Sequence, residues 1–299
     1  VFTSSPYADQ WVALATRHGK ERVIGRALRH GLGAHLLHVT AVDTDALGTF
    51  SGEVPRRGTA LEACLAKAEA ALAASGSELA IASEGSFGPH PQLPFLPSGL
   101  ECLVFVDRRR GLTISEQGLA RRTNFSHRLV GTVSTNGPDP DLAAWLARVG
   151  FPRHRLIVRP HLSRGQGSGG VKESGGAKGL QRWEDLASAI SQAAEVSSDG
   201  LALVETDMRA HCNPTRMAAI RRLTFRLVRR LARACPRCHT PGWGVAGQRP
   251  GLPCAECGLS TDLTQSLIWS CGHCGHQDVQ GRPDGLRLAD PRHCQWCNP

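Results

Sequence analysis

The chain has 299 residues and a formal net charge of +9, from 35 Lys and Arg against 26 Asp and Glu. That length accommodates one domain of about 200 residues beside a small one. No apolar run reads as a signal peptide or a membrane span, which argues against a secreted disulfide scaffold or a membrane partner and for a cytoplasmic protein. Trp11–Thr16 (WVALAT) reads as a buried strand, residues 20–30 as a helix and His35–Thr40 (HLLHVT) as a second strand. Residues 59–75 form an Ala-rich amphipathic helix, and Glu78–Ser83 (ELAIAS) a third strand. Residues 84–99, rich in Gly and Pro, are expected to be a loop. Leu100–Asp107 and Leu112–Gln117 read as two strands joined at Arg108–Gly111.

A strand near Leu129–Val133, a helix over Asp139–Val149 and a strand over Arg155–Arg159 follow. Residues 162–179 are Gly/Ser-rich and lack the Gly-Lys-Ser/Thr spacing of a Walker A loop. A surface loop is the favoured reading there and a phosphate-binding lid the alternative. A helix over 182–194 and a strand over 201–205 come next. Asn213 as N-cap and Pro214 in the first turn open a last helix that runs to about Ala234. The alternation predicts an α/β domain over 1–233, a mixed sheet flanked by helices, followed by a small zinc-ribbon domain over 234–299.

That second domain holds four Cys-x-x-Cys pairs: Cys235/Cys238, Cys254/Cys257, Cys271/Cys274 and Cys294/Cys297. Each pair brings two thiolates into one knuckle, and two knuckles supply the four sulfurs of a tetrahedral Zn²⁺. Eight cysteines therefore predict two structural Zn²⁺ ions with no coordination position open to water or substrate. Short loops favour sequential pairing, first knuckle with second and third with fourth; an interleaved cross-brace stays open as the alternative. His239, His273, His276 and His293 lie beside the knuckles and are expected to stand outside the ligand sets. Residues 208–299 carry 13 Arg, no Lys and 5 Asp or Glu. Part of that basicity balances the thiolate charge of the zinc centres.

Four polar segments fall at strand ends, where open α/β sheets bind ligands. Thr16-Arg17-His18-Gly19-Lys20-Glu21 joins a hydroxyl and a lysine at a helix start, an arrangement suited to phosphate. The others are Asp43–Glu53, which contains Asp45, Ser83–His90, which contains Glu84, and Glu205–Arg216. The last gathers Asp207, Arg209, His211 and Arg216 around one strand-to-helix turn. Only four lysines stand among 31 arginines, namely Lys20, Lys67, Lys172 and Lys178, so each is a candidate for a place that needs a compact ammonium.

The succession Thr-Arg-His-Gly-Lys, Gly48-Thr49-Phe50-Ser51-Gly52-Glu53, Ala66-Lys67-Ala68 and Ser83-Glu84-Gly85-Ser86 resembles the inosine/xanthosine triphosphate pyrophosphatase superfamily. The first loop is one residue short of that pattern. The resemblance implies a metal-dependent hydrolase of a nucleotide or related phosphorylated small molecule. It implies phosphate contacts from Thr16, Lys20, Lys67 and Arg216, and Mg²⁺ or Mn²⁺ held by Glu53 and Glu84. The carboxylates available for such chemistry are Glu53, Glu84, Asp207 and Asp45; Arg209 and His211 join the candidates for binding substrate, with His211 able to carry a proton. The ETDMRAH…NPTRM segment and the double-knuckle ending also resemble an uncharacterised bacterial domain family, which implies no activity. The alternative function is a non-catalytic zinc-ribbon protein that binds nucleic acid or a protein partner. Its carrier is the last helix, where Met217, Ile220, Leu227 and Leu231 form an apolar stripe and Arg222, Arg226, Arg229, Arg230 and Arg233 a basic one.

Overall fold

The computed structural model describes residues 5–44, 46, 58–90, 92–120, 122–161 and 176–298. The first half builds one five-stranded sheet. Its members in chain order are β1 (Trp11–Ala15), α1 (Glu21–Leu32), β2 (His35–Val39), α2 (Ala60–Ser75), β3 (Leu79–Pro89), β4 (Pro97–Asp107) and β5 (Leu112–Leu119). The sheet order is β2-β1-β3-β4-β5. β1 runs parallel to β2 and to β3, while β3, β4 and β5 are antiparallel. The expected mixed sheet is therefore present.

Alternation along β1 separates two cores. Val12 and Leu14 join the large-residue core that α1 lines with Ile24 and Leu28. Ala13 and Ala15 face α2, whose Ala60, Cys64, Ala68 and Ala71 meet Ala80, Ala82 and Cys102 of the sheet. α2 starts on a capping box: Thr59 accepts from the Glu62 backbone and the Glu62 side chain reaches back to Thr59.

The strands that follow do not extend this sheet. β6 (His127–Val130), β7 (Leu156–Pro160), β8 (Ala177–Leu180) and β9 (Ala202–Thr206) form a second, antiparallel sheet in the order β6-β9-β7-β8. It is covered by α3 (Pro140–Val149) and α4 (Trp183–Val196), which contribute Trp145, Leu146 and Ile190 to its own core. Of the Gly/Ser-rich segment, residues 162–175 lie outside the described residues and the remainder leads into β8. α5 (Pro214–Leu231) then returns from the second sheet to the first, where Ile220, Leu223, Leu227 and Leu231 complete the core beside α1. Asn213 is its N-cap, accepting from the Arg216 backbone at 3.0 Å, and Pro214 is in the first turn as expected. The remainder is a three-stranded antiparallel ribbon of β10 (Gly244–Pro250), β11 (Thr264–Ser270) and β12 (Gln277–Gly281). No helix among the described residues is long and apolar enough to cross a membrane.

The reading of 84–99 as a loop needs correction. β3 continues through Pro89 and β4 begins at Pro97, so Glu84 sits inside a strand and not after one. Gly and Pro gave the false loop signal. Two of these glycines mark close approach to side chains, a recognised reason for Gly in a strand. A Cβ on Gly85 would stand 2.4 Å from Arg216 Nη2 and 3.0 Å from Glu101 Oε1, and one on Gly99 2.7 Å from the Phe87 ring. Gly88, in the same strand, has nothing within 4 Å. Gly85→Ala is therefore expected to lower stability by about 1–3 kcal/mol, and Gly88→Ala to change it by under about 0.5 kcal/mol. Urea unfolding of the two variants checks this, and equal losses would contradict the packing described.

Candidate metal centres and a cation-lined site

The knuckles share one local geometry. The fourth residue after each leading cysteine donates its N–H to that cysteine's carbonyl: His239 to Cys235, Gly258 to Cys254, Gly275 to Cys271 and Asn298 to Cys294. This turn folds both sulfurs of a pair to one side. His239, Gly258 and Gly275 have positive φ there.

The eight sulfurs gather into two groups, each with all ligand atoms within 4.8 Å of one another. One is Cys235, Cys238, Cys271 and Cys274; the other is Cys254, Cys257, Cys294 and Cys297. Zn–S bonds of about 2.3 Å at tetrahedral angles set neighbouring sulfurs about 3.8 Å apart. The observed separations fit: 3.8 Å for Cys235–Cys274 and 3.6 Å for Cys238–Cys271. In the second group Cys254–Cys297 is 3.9 Å and Cys257–Cys294 3.6 Å. Both groups thus suit a structural Zn²⁺. The pairing is interleaved, first knuckle with third and second with fourth, and not the favoured sequential one. Its reason lies in the ribbon: β10 and β11 pair Gly244 with Ser270, which brings Cys271 back to the knuckle that precedes β10. Trp243 and Trp269 pack on the first centre, and Trp243 stacks on His276 at 5.3 Å.

The candidate site at the strand ends is built differently. β1 ends at Ala15, and a turn through Gly19, with φ of 71°, drops Lys20 beneath β3. Lys20 is 7% exposed and its ammonium donates to the Ser83 carbonyl at 2.7 Å, its one acceptor among the described residues. Burial, then the charge of Arg216, pull its pKa down to about 8 despite Glu84. Lys67, carried by α2, is ion-paired to Glu84. Burial opposes ionisation of Glu84, but Lys20 and Lys67 outweigh it and hold the carboxyl below its ordinary range.

Arg216, in the first turn of α5, donates Nε to Glu101 Oε1 at 2.7 Å and Nη1 to the Met208 carbonyl. Its guanidinium lies 5.0 Å from the Phe87 ring centroid. His18 and His211 stack at 5.3 Å over the same region. Burial and then the charge of Lys20 push His18 down to about 3, and burial followed by Arg209 lowers His211. Three cationic side chains thus meet two carboxylates in a protected place. The Ser83 hydroxyl and Glu101 Oε2 are buried there without a hydrogen-bond partner among the described residues. The Lys20 ammonium and the Ser83 hydroxyl, donors short of acceptors, suit an incoming anion, whereas Glu101 Oε2, an acceptor, suits a water or another donor.

Of the residues singled out from sequence, Lys20, Lys67, Glu84 and Arg216 come together, with His211 at the rim. Thr16 is buried beside them; its hydroxyl accepts from the His18 backbone at 3.3 Å and so shapes the turn. Asp207 is fully buried, and Arg209 grips both its oxygens, with Nη2 to Oδ2 at 2.6 Å. Burial opposes its ionisation, and the Arg209 bonds overcome this and lower its pKa. That engagement makes Asp207 a brace for Arg209 in the β9–α5 turn. Glu53 and Asp45 lie outside the described residues.

For Mg²⁺ the described residues do not form a site. Glu84 and Glu101 are each paired with a protein cation, and the two cysteine groups are the only clusters of three or more metal-ligating side chains among the described residues. Sequence reading passed over Glu101. A carboxylate at the second place of the apolar run LECLVFV is a signal that could have found it, because a buried charge requires a partner.

The interleaved pairing has a direct test in the full chain. Cys238→Ser with Cys271→Ser strikes one centre and should reduce bound zinc from two ions to one. Cys238→Ser with Cys257→Ser strikes both and should remove both ions. Metal analysis of the purified variants reads the difference, and sequential pairing gives the reverse result.

Comparison with curated proteins and with solved structures gives no match. A family model does match, over residues 67–299. That span includes every zinc cysteine together with Lys67, Glu84, Glu101 and Arg216, and leaves Thr16, His18 and Lys20 on its N-terminal side. The chain belongs to the family described as a domain of unknown function (DUF6671).

Proposed function

We propose that the cation-lined site binds the phosphate groups of a nucleotide or a related phosphorylated small molecule, and that the protein hydrolyses it. The observation that carries this reading is Lys20, a buried ammonium with a single acceptor among the described residues, in a cluster with Lys67 and Arg216. With Glu84 paired to Lys67 and Glu101 to Arg216, the cluster keeps one positive charge in excess, which an anion would offset. A phosphate supplies three acceptor oxygens and a charge near −2. The likeness of the Thr-Arg-His-Gly-Lys and Ser-Glu-Gly segments to nucleoside triphosphate pyrophosphatases supports the same substrate class.

In the proposed reaction a water molecule attacks phosphorus and the P–O bond to the leaving group breaks. Lys20, Lys67 and Arg216 offset the charge that develops on the phosphoryl oxygens. Glu84, held ionised, orients the water and accepts its proton. Mg²⁺ or Mn²⁺ enters this proposal as the counter-ion that a polyphosphate carries. The two zinc centres hold structure and take no part.

Phosphate release from a panel of nucleotides and sugar phosphates, with and without Mg²⁺ or Mn²⁺, tests the reading. Glu84→Gln should reduce turnover at least about 100-fold while phosphate-bearing ligands still bind. Lys20→Met should weaken binding itself. No turnover and no binding of any phosphorylated compound would refute the proposal.

The lowered pKa of Lys20 also fixes a pH dependence. Above about 8 the folded protein loses this charge, so affinity for the anion should fall between pH 8 and 10. Binding below that range should be flat. For stability the sign is opposite: the depressed pKa penalises folding below pH 8, and the penalty is relieved as pH rises toward the unfolded value. Calorimetric titration across pH 7–10 should show the loss of affinity in the wild type and its absence in Lys20→Met.

A further inference from the structure

We infer that the outer face of α5, together with the ribbon, forms a binding groove for single-stranded nucleic acid, which runs on from the small-molecule site at Glu101. β5 is an edge strand of the first sheet and β10 an edge strand of the ribbon. Between them, along the C-terminal half of α5, runs a groove of ≈ 800 Å³ lined by Arg226, Arg229, Arg230 and Arg233 against the single carboxylate of Glu116. A second hollow of ≈ 470 Å³ shares Arg226 and Arg229, adds Arg221 and Arg222, and reaches Glu101, whose charge Arg216 already offsets. The two together make one basic channel.

Two of these arginines are committed to structure. Arg226 binds Glu116 at 2.6 Å and donates to the Gln117 carbonyl. Arg230 reaches Glu116 Oε1 at 3.1 Å, the Ser115 carbonyl at 3.3 Å and the Gly242 carbonyl at 3.0 Å. They close the free edge of β5 and tie the ribbon to the sheet.

The remaining four, Arg221, Arg222, Arg229 and Arg233, are exposed, and none has a carboxylate partner among the described residues. Arg222 and Arg229 stand seven residues apart in α5, which places them on one helical face about 10 Å apart, and Arg233 follows just past the end of the helix. Arg233 lies 5.1 Å from the Trp269 ring centroid, so its plane is steadied by the ribbon. A solvated helix face normally intersperses both signs of charge; here the acids are missing from the outer face.

The form of the channel selects the partner. Its ribbon wall is Gly244, Val245, Ala246, Gly247, Gln248 and Leu267, with no aromatic side chain among them to serve as an anchor. Protein interfaces centre on such anchors, whereas nucleic-acid interfaces are polar and positively charged. A concave channel admits one strand, while a duplex is read by an element that projects into its major groove. Guanidinium planes bind phosphate in bidentate fashion and also stack on exposed bases.

Fluorescence anisotropy with labelled 20-nucleotide RNA and DNA single strands tests this on the full, zinc-loaded chain. Saturable binding is expected, weakening with salt by about 0.7 log units per phosphate contact for each tenfold rise in salt. Arg222→Glu with Arg229→Glu should weaken it at least tenfold and reduce the salt slope by about 1–2. Zinc content and melting temperature at wild-type values show that the variant is folded; if the reversal unfolds it, Arg222→Ala with Arg229→Ala reads the same loss. No binding at low salt, or equal binding by wild type and variant, overturns the inference. So does a duplex or a polyglutamate chain that binds as tightly as a single strand. Hydrolysis of small phosphorylated compounds is read separately, so failure here leaves the small-molecule site untouched and the reverse also holds.

Discussion

The ion pair between Arg216 and Glu101 is the constraint on which the rest of the arrangement depends. It is almost wholly out of solvent, and it joins the first turn of α5 to the middle of β4. The same guanidinium holds the Met208 carbonyl at the β9–α5 turn and lies over Phe87 of β3. One side chain thereby secures the point where the polypeptide leaves the second sheet and rejoins the first. Isolated, a buried pair of this kind is a poor source of net stability, because desolvation consumes most of the Coulomb gain. Its value is geometric. With Arg216 in place, Gly85 is needed to make room, Glu84 is aimed beside Lys67, and Lys20 sits under a positive potential.

α5 links this chemistry to the zinc-binding end. Its N-terminal turn supplies Arg216, its inner face completes the core with α1, and only three residues separate Leu231 from the first ligand, Cys235. The ribbon is too small for a substantial apolar core of its own, and its two cysteine groups are placed so that metal coordination would supply folding energy there. It also docks on the sheet, since Gly242 presses against Ile114 so closely that a Cβ would stand 2.0 Å from its Cδ1. Rotation of the ribbon relative to the sheet would have to break both this contact and the bonds of Arg230.

The parts legible in the sequence are those governed by local rules. Helix starts at Thr59, Asp139 and Asn213 and the alternation of β1 are set by neighbouring residues, and so are the knuckle turns. The convergence of Lys20, Lys67, Glu84 and Arg216 was suggested by a likeness between short segments, and it rests on parallel pairing of β1 with β3. What was illegible depends on distant partners. The glycines of β3 spell a loop until Arg216 and Glu101 occupy the space beside them. The division of the strands into two sheets has no marker along the chain, because each strand's apolar pattern is satisfied by either arrangement. The order of knuckle pairing follows from the β10–β11 hairpin and not from cysteine spacing. From sequence Asp207 is one of the carboxylates available at a strand end, whereas in the structure its neighbour Arg209 encloses it.

Interleaving has a bearing on how the protein matures. A nascent polypeptide presents Cys235, Cys238, Cys254 and Cys257 before either centre can be finished, since each waits for sulfurs from a later stretch. During that interval the thiols could be captured in a wrong set of four, and escape then needs ligand exchange at a metal already held. The hairpin between β10 and β11 removes this hazard only once residue 271 has emerged. A metal met during synthesis would therefore find an incomplete set of sulfurs until the later two knuckles have emerged.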